Sequence, residues 1–323
     1  MFGSSRNGLL GVDVGAGLVK AAQLRRTPTG FSVVAAAIPR STDALASPLE
    51  QRVTEIKALR SLAPKLRGVD GAALISMRDC ELSALGQDDP SLGYAEQAPR
   101  ATDQWGDESG GYQLSTTLSE VEAVCDGFDR IGLRCTTVDG TPTALARALQ
   151  LIPDYRPDEL VMGFDWGASS ATLVGAKAGV ARYARRLKVA GFDEVIQEVA
   201  EQLALAKQDA DRAIARYGVS AEQSAGAIVS KALRAALSTL PGELRRTLSH
   251  LEGKLKARAP SRWVIFGAAA TTPGLPRMLE ESLRVRVEPW TAAGVEIDEA
   301  SNAPICLFGP AVALSALRWE DAS

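Results

Sequence analysis

Short apolar runs separated by glycine-containing turns open the chain. Leu9–Val14, Leu18–Leu24 and Phe31–Ala37 have strand lengths, with Gly-Ala-Gly and Thr-Pro-Thr-Gly between them. This pattern predicts an antiparallel meander of three strands. Apolar positions at helical spacing then predict a helix over Ser47–Lys65, and Gly71–Met77 has the pattern of a buried strand.

The pattern changes in the middle of the first half. Gly86–Tyr112 is polar and rich in glycine, aspartate and proline, which is typical of a loop-dominated insert with a weak helix at most. Regular patterns return with a helix over Ser119–Ile131 and a strand over Leu133–Asp139. Ser119 and Glu122 fit a capping box, so the helix is expected to begin there.

The second half of the chain repeats the opening pattern. The motif Gly-x-Asp-x-Gly-Ala lies between two apolar runs around Asp13 and again around Asp165. A repeat of this size predicts two similar lobes. After the second copy, a long helical region is expected from Phe192 to about Arg258.

The repeated turn has the chemistry of a phosphate-binding hairpin. Glycines let backbone N–H groups approach phosphate oxygens, and an aspartate at a strand end can hold a hydrated Mg²⁺. A dinucleotide fingerprint is excluded because the residues after Gly17 continue as a strand, and Lys20 stands where the third glycine would be. A decayed duplication that keeps the turns and binds nothing remains the alternative.

The composition of the chain further narrows the classes of protein to which it can belong. The chain has 323 residues, of which 46% are apolar and 23% charged, as in an ordinary globular protein large enough for two lobes. A net charge of −3 argues against a nucleic-acid partner. The four cysteines form no Cys-x-x-Cys pair and the single histidine lies in a polar helical segment, so we expect neither a zinc site nor a histidine-dependent triad. Without a signal peptide or an apolar run of about 18 residues, we expect a cytoplasmic protein with no direct membrane insertion.

In the order of these blocks, the chain resembles the PilM family of type IV pilus assembly proteins, in the FtsA/PilM branch of the actin-like ATPase superfamily. Besides the two turns, the resemblance is carried by the segment ending in Val138-Asp139, by Glu243–Leu251, and by Trp263–Glu288 with its Pro-Gly-Leu. It implies an α/β fold, bilobal and actin-like (ribonuclease H-like), with duplicated lobes and a small inserted subdomain of the FtsA/PilM type.

The resemblance also implies domain bounds. The first lobe would span residues 1–158, with the inserted subdomain at about 79–138. The second lobe would span 159–323, with a helical subdomain at about 192–260 and a final helix over 309–320 that returns to the first lobe.

Members of this family bind ATP between the lobes, which implies a set of site residues here. Mg²⁺ would be held through water by Asp13 and Asp165, and Asp139 matches an acidic position near the γ-phosphate, with an N-cap role for the following helix as the alternative. The cofactor-binding residues implied are Asp13, Gly15, Ala16, Gly17, Lys20, Asp165, Gly167, Ala168, Ser169, Ser170, Gly191, Gly267, Ala268 and Ala269.

Several positions depart from the family's pattern. Ala16 and Gly17 replace serines of the first turn, Ala210–Ile214 lacks the family's pocket lysine, and the methyl groups of Ala268–Ala270 replace glycines and would narrow an adenosine site. Whether ATP and Mg²⁺ binding is retained or lost is therefore open. An ATP-binding scaffold or pseudo-ATPase is favoured over an efficient ATPase.

The resemblance finally implies a role and a partner. The protein would lie at the inner membrane as a peripheral component of a type IV pilus or related type II secretion system. There it would bind the short cytoplasmic tail of a PilN-like protein, near the inserted subdomain. Self-association is left open. A small-molecule kinase of the same superfamily and an FtsA-like filament-forming protein are the alternatives.

Overall fold

The computed structural model describes residues 6–39, 54, 57–58, 61, 66–85, 99–107, 110–221, 224–255, 260–299, 301 and 303–322. Most of the helix predicted over Ser47–Lys65 and much of the predicted loop at Gly86–Tyr112 lie outside these residues, although the described residues 54, 57–58 and 61 are helical. In the described part of the chain, no helix is long and apolar enough to span a membrane.

The strands fall into three sheets. In chain order they are β1 Leu10–Val14, β2 Leu18–Thr27, β3 Gly30–Pro39, β4 Asp70–Ile75, β5 Glu81–Ala84, β6 Arg100–Asp107, β7 Gly110–Thr117, β8 Arg134–Gly140, β9 Val161–Trp166, β10 Ala171–Lys177, β11 Val180–Arg186, β12 Arg262–Phe266, β13 Arg286–Pro289 and β14 Val295–Ile297. The helices are α1 Leu118–Asp129, α2 Thr141–Gln150, α3 Phe192–Leu203, α4 Lys207–Tyr217, α5 Ser224–Ala236, α6 Leu240–Leu255, α7 Leu275–Leu283 and α8 Gly309–Ala316.

The two larger sheets have the same topology. The first has the order β14-β3-β2-β1-β4-β8 and the second β11-β10-β9-β12-β13. In each, three antiparallel strands are followed by two strands that run parallel to the first of them. The duplication seen in the turns therefore extends to whole sheets, because β9 to β13 repeat the order of β1 to β4 and β8.

The inserted subdomain lies between β4 and β8 and contains a three-stranded sheet of order β5-β7-β6, followed by α1. The prediction of a loop-dominated stretch is wrong for Arg100–Asp107, which pairs with β7 along its whole length. Trp105 stacks on Tyr112 with ring centroids 6.1 Å apart, and the Arg100 guanidinium donates to the Ser115 hydroxyl. These cross-strand pairs stabilise a segment whose own composition is typical of a loop.

Two predicted helix bounds need correction. The first helix of the insert begins at Leu118 with Thr117 as its N-cap, so Ser119 lies inside it and the predicted capping box with Glu122 does not form. The Leu118 N–H instead donates to the Pro99 carbonyl, at the start of the neighbouring strand. The final helix is α-helical only over Gly309–Ala316 and continues as a 3-10 helix.

Two helices are exchanged between the lobes. The last helix, α8, packs against β1, β2 and β4 of the first sheet, whereas α2 packs against β9, β10 and β11 of the second. The buried Ser315 hydroxyl donates to the Leu9 carbonyl and accepts from the Leu24 N–H. The Trp290 indole N–H donates to the Ala148 carbonyl in α2. Because α2 and α8 also pack on each other, they join the two sheets.

Candidate functional site

The two repeated turns have the same hydrogen-bond closure. In the first, the Gly15 N–H donates to the Leu18 carbonyl at 2.9 Å, and in the second the Gly167 N–H donates to the Ser170 carbonyl at 3.0 Å. Each turn is thus a hairpin with two residues at its tip, and an aspartate lies two residues before its closing glycine. The sequence repeat is also a geometric repeat.

The tips of the two hairpins touch. A Cβ atom built on Gly17 would lie 3.0 Å from the Cβ of Ala168, although the two residues come from different lobes. Any larger side chain at position 17 would push the tips apart. The structure therefore brings the predicted residues of both turns to one place.

The start of α3 supports the second turn. The Phe192 and Asp193 N–H groups donate to the Gly167 and Ala168 carbonyls, each at 3.0 Å. A Cβ on Gly191 would overlap the Ala168 carbonyl oxygen, so this close approach requires glycine. Gly191 thus lies behind the turn and holds its shape.

Lys20 pairs with Asp13 of its own hairpin, and the charge of Asp165 in the other hairpin also acts on it. Its ammonium group is 2.5 Å from the Asp13 carboxylate, and both side chains are nearly buried. Burial alone would lower the pKa of Lys20, but the carboxylates of Asp13 and Asp165 outweigh it and raise the pKa above its ordinary value. Lys20 is the cross-strand partner of Asp13, whereas the cross-strand partner of Asp165 is the uncharged Thr172. The positive charge of Lys20 therefore acts on the aspartates of both lobes.

Burial raises the pKa of Asp165 to about 6, with Asp13 adding to the rise and Lys20 opposing it. We therefore expect Asp165→Asn to change how stability depends on pH. In the unfolded chain the carboxyl ionises near pH 4, while the folded protein keeps its proton up to about pH 6. The free energy of unfolding of the wild type should therefore fall between these pH values. Above pH 6 its loss should stay constant at about 3 kcal/mol, and the Asp165→Asn variant should not show this loss.

Urea denaturation of both proteins from pH 4 to pH 7 measures this difference. The wild-type free energy of unfolding, relative to the variant, should fall over that range and then level off. A difference that stays flat, or that grows in favour of the wild type as the pH rises, would contradict the raised pKa of Asp165.

The loop that follows β12 lies against the second aspartate. Gly267 has a φ of 79°, and a Cβ on it would be 2.8 Å from the Asp165 Oδ1 atom. Ala269 and Ala270 are buried in the core, while Ala268 is partly exposed. The side chains of Ala269 and Ala270 are thus used in packing, and the narrowing of a ligand site by these methyl groups stays a prediction.

Both oxygens of the Asp139 carboxylate are engaged within its own segment. Oδ1 accepts from the Gly140 N–H at 2.8 Å and from the Thr143 hydroxyl, and Oδ2 lies 2.7 Å from the Arg147 guanidinium. The N-cap of this helix is Gly140, so the N-cap role suggested for Asp139 is wrong, and Asp139 instead anchors the start of α2 through Thr143 and Arg147. Thr143 and Arg147 were missed in the sequence, although their four-residue steps from Asp139 are a helical signal.

The two hairpin tips carry backbone N–H groups of the kind that bind phosphate oxygens. Within the described residues, the N–H groups of Ala16, Gly17, Ala168 and Ser169 donate no hydrogen bond, and the Ser169 side chain is exposed. Backbone N–H groups of this kind are suited to binding an anion, whereas Lys20 is already paired with Asp13. No group of three or more His, Cys, Asp or Glu side chains in this part of the chain could hold a metal alone, so Mg²⁺ at Asp165 would depend on water and phosphate ligands.

Comparisons with solved structures decide the fold. A chain of the PilM–PilN type IV pilus biogenesis complex is 20% identical and superposes with a TM-score of 0.75, covering 98% of this chain and 100% of that one. The ethanolamine utilization protein EutJ from Carboxydothermus hydrogenoformans is 13% identical, with a TM-score of 0.60 over 96% of this chain and 90% of its own. MreB5 of Spiroplasma citri, bound to ADP, is 11% identical, with a TM-score of 0.56 over 99% and 97%. This chain has the actin-like ATPase fold.

The predicted fold class is thereby confirmed. No model of a known protein family matches the chain, and no curated protein matches it in sequence. In this actin-like chain, the contact between Gly17 and Ala168 lies where the two duplicated lobes meet. The residues predicted from the repeated motif thus lie where the two lobes meet.

Proposed function

We propose that this protein is a PilM-like component of a type IV pilus or related type II secretion system, which binds the cytoplasmic tail of a PilN-like inner-membrane protein. The observation that carries the proposal is the likeness to a chain of the PilM–PilN complex over 98% of this chain and all of the other. EutJ and MreB5 cover about as much of this chain, but the chain of the PilM–PilN complex superposes with the higher TM-score, 0.75 against 0.60 and 0.56. The role is that of a peripheral protein on the cytoplasmic side of the membrane.

The engagement of Asp139 supports a scaffold over an enzyme. A kinase or efficient ATPase needs a base free to take a proton from the attacking group. Asp139 is bound to Thr143 and Arg147, and Asp13 is paired with Lys20. Nucleotide would then act as a ligand that sets the spacing of the lobes.

ATP or ADP would be held by residues of both hairpins. The free N–H groups of Ala16, Gly17, Ala168 and Ser169 would bind phosphate oxygens, and Asp165 would hold Mg²⁺ through water. Bound Mg²⁺ would neutralise phosphate charge. Since the tips touch at Gly17 and Ala168, the phosphates would have to separate them, which couples nucleotide binding to the lobe arrangement.

A crevice between β4 and α1 is our proposed docking position for the tail. It is lined by the end of β4, by Ser76 and Asp79 in the turn that follows this strand, and by Glu120, Val124 and Phe128 of α1. It lies where the inserted subdomain meets the first lobe. This agrees with the expected docking of the tail near that subdomain.

We expect the full chain to bind a synthetic peptide with the cytoplasmic tail sequence of a PilN-like inner-membrane protein from the same genome, as measured by calorimetry. Glu120→Lys should weaken binding about tenfold because it reverses a charge at the crevice. Glu122→Lys is the matched control, because Glu122 is exposed on the same helix but does not line the crevice. Repeating the titration with Mg-ATP and Mg-ADP tests whether nucleotide changes the affinity.

Failure of the tail to bind under all three nucleotide conditions would refute the proposed scaffold function. Equal weakening by the two charge reversals would refute only the docking position. If the tail binds but titration with ATP or ADP gives no heat, the proposed scaffold function is retained and the proposed role of nucleotide as a ligand is refuted.

A further inference from the structure

A cavity of about 360 Å³ lies between the inserted subdomain and the second lobe. Its volume is within the range of ligand pockets in proteins. Leu82, Ser83 and Ala84 of β5 line one side, and Ala184, Arg185 and Arg186 of β11 line the other. It is separate from the hairpin tips and from the crevice beside α1, since it shares no lining residue with them.

Three consecutive residues of each strand line this cavity. Side chains alternate between the two faces of a strand, so a cavity that meets three successive residues lies at the edge of the strand. In the described part of the chain, β5 and β11 are indeed the end strands of their sheets. Edge strands present backbone N–H and carbonyl groups to any strand that enters beside them.

The two edges are not equally open. On one side, β6 and β7 of the insert contact β11, so part of the β11 edge is already covered. On the other side, Ser83 of β5 is exposed. We therefore take β5 as the strand left for pairing.

The side chains around the cavity favour an acidic ligand. Arg185 is paired with Glu243 at 3.1 Å, but Arg186 is exposed and forms no ion pair with any described residue. Met77 and Tyr112 contribute buried apolar surface. Burial raises the pKa of the Cys80 thiol to about 12, with Asp79 adding to the rise, so the thiol stays neutral and is no nucleophile at ordinary pH.

We propose that this cavity binds an extended acidic peptide segment, which adds as a strand to β5 and pairs a carboxylate with Arg186. Strand addition supplies affinity through backbone hydrogen bonds and specificity through alternate side chains. The inference goes beyond the proposed function and does not depend on it. Because the cavity walls come from the insert and the second lobe, a bound segment would contact both.

The test uses the full chain and two fluorescein-labelled peptides, one with alternating valine and glutamate and one with alternating valine and lysine. Fluorescence anisotropy should show that the glutamate peptide binds at least about tenfold more tightly. Arg186→Glu should reverse this preference. Lys188→Glu is the matched control, because Lys188 is an exposed cation two residues further along that does not line the cavity.

Backbone pairing is tested separately by N-methylating every second residue of the glutamate peptide, which should abolish binding. Ser83→Trp should also abolish peptide binding, because the larger side chain at this exposed position of β5 would block the opening of the cavity. Circular dichroism verifies the folding of each variant. The proposal would be overturned if the wild type bound neither peptide or bound both equally. It would also be overturned if Arg186→Glu and Lys188→Glu had the same effect, or if the N-methylated peptide bound fully.

Discussion

Gly11→Ala should destabilise the protein by about 3 kcal/mol, although it adds a single methyl group. A Cβ atom on Gly11 would overlap the Ala311 carbonyl oxygen, because the last helix lies directly on β1. A backbone oxygen in a helix cannot move aside as a flexible side chain can. The methyl group should therefore push α8 away from the first sheet, and urea denaturation monitored by circular dichroism would measure the loss.

Gly242→Ala is the matched control for this effect. Gly242 lies in α6, and a Cβ there would meet no atom within 4 Å. The control should gain about 0.5–1 kcal/mol, since alanine is the better helix former. If Gly11→Ala were also neutral or stabilising, this result would contradict the close packing of α8 on β1.

Lys20→Met should cost about 3–5 kcal/mol, because it leaves the carboxylates of Asp13 and Asp165 without their cation. Asp13 is buried and lies 2.5 Å from the ammonium group it would lose. Methionine keeps most of the length of the lysine side chain. The loss of stability therefore reflects the removed charge more than the removed volume. The free energy of unfolding in urea at pH 7 measures this cost, and calorimetry with Mg-ATP should show no nucleotide binding by the variant.

Lys207→Met provides the comparison, because Lys207 forms an ion pair with Asp193 at 2.8 Å on the surface. Both of those side chains are about half exposed, so solvent screens the pair and its loss should cost less than about 1 kcal/mol. Equal costs for the two lysines would show that Lys20 is not the common cation of the hairpins.

Nucleotide and tail binding can be coupled through the lobes if the proposed function holds. The phosphates would enter between the hairpin tips, and the insert lies between β4 and β8, the strands that extend the first sheet beyond β1. A change in lobe spacing would therefore be transmitted through a continuous sheet. The tail titrations with and without nucleotide measure this coupling free energy directly.

The amino-acid sequence alone determined the duplicated hairpins and most of the strands. The signals lie within a few consecutive residues: an apolar run, an aspartate, and a glycine two positions later. Turn chemistry and strand alternation act locally, so they can be read without knowing what packs against them. Through its resemblance to the PilM family, the order of these local blocks also indicated the actin-like fold.

Only the tertiary structure decided what these elements contact. It made a strand of Arg100–Asp107 by pairing it with β7, placed Lys20 beside Asp165 as well as Asp13, and buried Ala269 in the core. It also exchanged α2 and α8 between the two sheets. Each outcome depends on a partner far away in the chain, and the energy of such contacts comes from packing and burial that no local pattern contains.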